Sequence, residues 1–112
     1  MSNISRSPAR FHSFDVEEAT LYGVNQAILL DDIRRCLELS LVQKDSVHDG
    51  YVWTYISTQA FIELFPYMGS HYITESLKDL RAKGVLMVDR HNADWYTIPA
   101  EFTTAQDKAV ML

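Results

Sequence analysis

Four histidines and one cysteine are the side chains of this chain best suited to metal or nucleophilic chemistry. Their placing argues against both. His12, His48, His71 and His91 are scattered, and no two stand at a spacing that gathers ligands around a metal. Cys36 falls on the apolar stripe of a helix, the setting of a buried and inert thiol. As a single cysteine it closes no internal disulfide. Asp31 and Asp32 are adjacent, so on a helix they point different ways and make no acid–base pair. The four glycines are isolated and form no phosphate-cradling loop. No enzyme chemistry, cofactor or metal is expected from these residues.

The pattern with most to offer is "GSHYITESLKDLRAKGVL", from Gly69 to Leu86. Ser70 is a good helix N-cap. Ile73, Leu77 and Leu80 make a core stripe, and Gly84 stands where a helix ends in a left-handed residue. The face opposite Leu77 carries His71, Tyr72, Glu75, Lys78, Asp79 and Ala82. Such a face enters the major groove in a helix-turn-helix protein. Glutamate and aspartate can accept from cytosine N4, yet phosphate contacts from lysine and arginine dominate affinity. The cations within reach are Lys78, Lys83 and Arg90, with Arg6 and Arg10 near the N-terminus. Arg81 falls toward the buried side of the helix. Candidate DNA contacts are thus Ser70, His71, Tyr72, Glu75, Lys78 and Lys83 on the helix, Arg90, His91 and Asn92 in the turn that follows, and Arg6 and Arg10 in an N-terminal arm. The ordinary readings stand beside these: a solvated helix face, a polar hairpin tip and a disordered terminus.

The surrounding elements follow from periodicity and turn chemistry. Residues 1–13 read as a flexible arm, 14–99 as one folded domain and 100–112 as a tail. A short helix capped by Asp15 or Ser13 ends at Gly23. "VNQAILLDDIRRCLELSLVQ" is the longest helix, with Leu29, Leu30, Ile33, Cys36, Leu37 and Ser40 on one face. Asp31, Arg34, Arg35 and Glu38 lie on the other, where Asp31 can pair with both arginines. "YVWTYI", after the turn residues "HDG", reads as one strand from Tyr51 to Ile56. Ser57 caps a helix that buries Phe61, Leu64 and Phe65 and stops before Pro66. "VLMVD", the turn "RHNAD" and "WYTI" make a β-hairpin. Tyr51, Trp53, Tyr55, Trp95 and Tyr96 are expected in the core rather than stacked on bases. The order is that of a winged helix-turn-helix, an α+β fold that is mainly α, with a β-hairpin wing and a short third strand.

The segments "AILLDDIRRCLEL", "HDGYVWTYIS", "LFPYMGSHYITESLKDLRAKGVLMV" and "WYTI" resemble a winged-helix family. That family is found at the N-terminus of phage and plasmid replication proteins and in related phage regulators. The resemblance spans Asp15 to Pro99. It implies a winged-helix fold and a DNA-binding role in replication or transcription control. Where such proteins often place basic residues after the isoleucine of the reading helix, this chain has Thr74 and Glu75.

Charge is distributed unevenly. The net charge is −5, with eight acids against three bases in residues 15–49 and four against four in residues 70–94. A basic patch typical of DNA-binding domains is not visible in the sequence. Two functions remain. One is a small phage or mobile-element protein that binds double-stranded DNA, as a homodimer because one neutral module needs a second. The other is a module that binds a host or phage protein through its acidic surface, as an anti-defence or polymerase-directed factor. No run of 18 apolar residues could span a membrane, and the N-terminus has no secretory h-region, which leads to the cytoplasm.

Overall fold

A computed structural model describes residues 11–40, 47–48 and 50–99. Helix α1, Val16–Tyr22, starts at Asp15, whose carboxylate accepts the Glu18 amide at 3.0 Å. Gly23, at φ +99°, turns the chain into α2, Val24–Ser40. Helix α2 buries Ala27, Ile28, Leu29, Leu30, Ile33 and Ser40, with Cys36 and Leu37 packed at the edge of the core. Arg35 pairs with Asp31 at 2.9 Å, as helical spacing predicts. Arg34 does not. Its guanidinium reaches α1 and binds Glu18 at 2.7 Å, both side chains largely covered. The expectation that Asp31 would hold both arginines is corrected by α1, which packs over that flank of α2.

Strand β1, Val47–His48, pairs with β2, Tyr51–Val52, across a turn in which Gly50 takes φ +79°. The single strand expected from Tyr51 to Ile56 is therefore two. Trp53 interrupts it, buried, and β3, Thr54–Tyr55, leaves the first hairpin to join the wing. The Ser57 side chain accepts the Ala60 amide at 3.1 Å and caps α3, Thr58–Leu64. Helix α4, Ser70–Ala82, follows after a turn of five residues. Its cap position is Gly69, not Ser70, and no side chain caps it. Gly69 has φ +81°, a left-handed backbone that serine adopts poorly, so the turn places Ser70 inside the first helical turn. At the far end, Gly84 at φ +77° closes a Schellman motif. Its amide donates to Arg81 O at 3.0 Å, and the Val85 amide donates to Leu80 O at 3.1 Å.

The wing is β4, Met87–Asp89, and β5, Asn92–Thr97. Its turn is only Arg90–His91, shorter than the five residues expected, because Asp89 pairs directly with Asn92. The pairing then shifts, so that Val88 faces Tyr96 while Ala93, Asp94 and Trp95 bulge out of the β4 ladder. That bulge is taken up by β3, through Tyr55 opposite Trp95 and the Ile56 amide on Asp94 O at 2.9 Å. The sheet order is β3-β5-β4, all antiparallel. Its inner face meets α2, α3 and α4 around Leu29, Leu30, Ile33, Phe61, Phe65, Leu80 and Leu86. Helices α2, α3 and α4 with a three-stranded sheet of β3 and the wing, and α1 added in front, make an α+β, mainly helical fold of winged-helix type. Among the described residues no helix is long and apolar enough to cross a membrane.

Candidate nucleic-acid interface

Helix α4 presents three flanks. Ile73, Ser76, Leu77 and Leu80 face inward. His71, Glu75 and Ala82 point outward and are exposed, with Tyr72 on the side toward α2. On that α2 side Lys83 binds Asp79 at 2.6 Å, and its ammonium lies 5.6 Å from the Tyr22 ring centre. Hydrogen bonds from Lys83, and then from Gln26 of α2, hold the Asp79 carboxyl below the ordinary range. Lys78 lies 3.6 Å from Glu75, both side chains well solvated. The two lysines expected to attract phosphate are thus accompanied by acids of their own helix.

The third flank faces the wing, and it holds the residue the sequence misplaced. Arg81 is exposed, not turned into the core. It shares an open groove of about 260 Å³ with Thr74 and Lys78 of α4, Thr58 and Phe61 of α3, and Ala93, Asp94 and Tyr96 of β5. No described acid forms an ion pair with Arg81, whereas Arg34, Arg35, Lys78 and Lys83 each have one. Thr74, Lys78 and Arg81 stand at i, i+4 and i+7, a stripe adjoining the core stripe. That spacing is visible in the sequence. What it does not reveal is that the stripe borders an open groove, with the bulged residues Ala93 and Asp94 on the other side.

Arg90, His91 and Asn92 sit together at the tip of the wing, all exposed. The His91 amide donates to Asp89 Oδ1 at 3.1 Å and the Asp94 amide to Asn92 Oδ1 at 3.2 Å. Arg90 also lines an open groove with Tyr51, Trp53, Met87, Val88 and Asp89. Ser70 is exposed, with its carbonyl accepting the Thr74 hydroxyl at 3.0 Å. Arg6 and Arg10 lie outside the described residues. His12 and Ser13, at the end of the expected arm, rest on the body. The His12 ring lies 4.6 Å from Phe65, and its Nδ1 hydrogen-bonds the Tyr67 hydroxyl at 2.6 Å, in the turn between α3 and α4. Ser13 donates to Asp31 at 2.6 Å.

The aromatic set divides. Trp53 and Tyr96 are buried. Tyr55 and Trp95 pack against each other at 5.5 Å on the outer face of the sheet, and Tyr51 is exposed beside Trp53. Burial raises the Tyr96 hydroxyl above its ordinary value, helped by Asp94 and opposed by Arg81, and all three residues line the groove.

A solved structure described as the N-terminal domain of a DNA binding protein is similar to this chain. The TM-score is 0.63 at 18% sequence identity, over 91% of this chain and 83% of that one. At this identity the likeness is one of fold. No family model matches the sequence, and no curated protein does.

Proposed function

We propose that this chain is a winged-helix DNA-binding module of a phage or mobile element, cytoplasmic and without catalytic activity, that acts in replication or transcription control. The observation that carries the proposal is the exposed flank of α4 beside the wing, where Arg81 lies in a groove open to solvent with no acidic partner among the described residues. The fold likeness to a domain of a DNA binding protein supports it. The resemblance to phage and plasmid replication domains supports the assignment to replication or its control. In this reading α4 enters the major groove, and Lys78, Arg81 and Arg90 meet phosphates. Two copies bind together, their reading helices spaced about 34 Å apart, one turn of duplex.

The test is titration of a labelled mixed-sequence duplex at several salt concentrations. Three phosphate contacts per copy predict a log–log salt slope of about −3 for each copy, about −5 for the pair, and binding that strengthens steeply below ~100 mM salt. Absence of binding at ~50 mM salt, where electrostatic attraction is strong, sinks the proposal. Light scattering of the complex counts the copies, and a single copy per duplex removes the dimer.

A second reading rests on the opposite flank of α4. There Asp79 neutralises Lys83, and Glu75 accompanies Lys78. A host or phage protein is the partner that fits a solvated face whose cations are accompanied by acids in this way. Glu75→Arg and Asp79→Arg would abolish capture of such a partner while strengthening DNA binding, so one pair of variants separates the two.

A further inference from the structure

We infer that Arg81 is the phosphate anchor of this domain, taking one DNA backbone phosphate into the groove between α4, the start of α3 and the bulge of β5. The inference deepens the DNA reading above and rests on it. Only uncompensated cations release counterions fully when a phosphate binds. Among the described residues Arg34 is engaged by Glu18, Arg35 by Asp31 and Lys83 by Asp79 at 2.9 Å or less. Lys78 keeps a looser acid at 3.6 Å. Arg81 and Arg90 have none, and of these two Arg81 is the one that lines this groove, with an aspartate across it.

The shape of the site suits one phosphate. Phe61, Ile73, Leu77 and Tyr96 form an apolar floor, which lowers the local dielectric and strengthens a charge-assisted bond. The rim is polar. The Arg81 guanidinium can fork onto two phosphate oxygens. Lys78 stands one turn before it on the same flank, and the Thr58 hydroxyl lies across the groove on α3. Thr74 offers no donor, since its hydroxyl is committed to the Ser70 carbonyl. Among the described residues Asp94 is the one acid lining the groove, and it opposes the ligand. The site is therefore a balanced one, with Arg81 and Lys78 set against Asp94 and the Glu75 that accompanies Lys78. A balanced site holds a phosphate presented by a docked duplex better than it holds a free ion, because the duplex brings its other contacts with it.

The experiment compares the full chain with Arg81→Gln and Arg35→Gln. Arg35 lies on α2, outside the groove. The same labelled duplex is titrated over a series of chloride concentrations. Arg81→Gln is expected to lose, per copy bound, about one unit of salt slope and about ten-fold in affinity at ~50 mM salt, shrinking to about two-fold at ~300 mM. Arg35→Gln is expected to match wild type. Circular dichroism confirms that the exposed substitution leaves the fold intact. Binding by wild type with an unchanged slope in Arg81→Gln overturns the anchor and leaves the DNA reading standing. Absence of wild-type binding overturns both. A third arm replaces chloride by inorganic phosphate at constant ionic strength. Equal displacement by the two salts is expected. Preferential displacement by phosphate that disappears in Arg81→Gln would reassign the groove to the free ion and overturn the anchor.

Discussion

Glu18 stands on α1 with Arg34 against it, and yet burial raises its carboxyl above the ordinary value of 4.5. Desolvation is the largest cause and outweighs the hydrogen bond and attraction of Arg34, while Asp15 and Asp31 push the same way as burial. Burial also raises Asp32. A carboxyl raised in the folded state stabilises that state below its unfolded pKa, and the gain is lost as pH climbs through the folded value. Unfolding by urea between about pH 4 and about pH 7 should therefore show wild type losing stability relative to Glu18→Gln as pH rises. A constant difference would mean that Glu18 titrates alike in both states. Asp94 offers a second test, on binding instead of folding. Its side chain opposes phosphate in the groove, while its backbone amide and carbonyl bond Asn92 and Ile56. Asp94→Asn should raise duplex affinity about two- to five-fold at low salt, and the gain should fade as salt screens it. Individual charges were the least legible part of the sequence. Helical spacing paired Arg34 with Asp31 and turned Arg81 inward, and both expectations failed for one reason. A helical wheel orders side chains around their own axis, but it is silent on which neighbour lies over each flank.

Elements were read more surely, because their ends are written in local chemistry. The Asp15 and Ser57 caps, the turn at Gly23 and the stop at Gly84 all depend on residues within a few positions. Gly84→Ala forces alanine into a left-handed backbone at φ +77°. It should destabilise the domain by roughly 1–2 kcal/mol in chemical denaturation. Ser57→Ala removes an N-cap bond and should cost about 1 kcal/mol. Where an end depends on distant pairing, the sequence was less informative. The split of the expected strand at Trp53 comes from two partners, β1 on one side and β5 on the other. The turn at Arg90–His91 is two residues long because Asp89 finds Asn92 across it, and "RHNAD" alone allows a longer loop. Gly69 as the cap of α4 is a similar case, since the preceding turn decides which residue enters the helix.

At the scale of the molecule the order of elements carried the fold, since helix, strand, helix, helix and hairpin admit few compact arrangements. Phe61 binds that arrangement together. It is 1% exposed, meets Tyr96 of the wing edge-on at 5.5 Å, and lies 6.4 Å from Phe65. Phe61→Ala should cost about 3–5 kcal/mol, a large share of the roughly 5–15 kcal/mol that stabilises a domain of this size. Thermal unfolding would show it as a large fall in Tm. The whole-chain charge of −5 was a poorer guide to the site than to the surface in general. Net charge sums acids that lie on α1 and α2, far along the chain from the groove, with cations whose worth depends on whether an acid already holds them.

The bulge at Ala93–Trp95 has a consequence for how such a chain can change over time. Strand register normally passes every insertion down the ladder and turns each side chain to the other face. Here the register resets between Val88 and Asp89, so the tip is insulated from the sheet. A residue gained or lost at Arg90–His91 leaves Trp95 and Tyr96 on their own faces and the groove intact. The tip can drift in length and composition, and with it the set of ligands sampled, while the core is inherited unchanged.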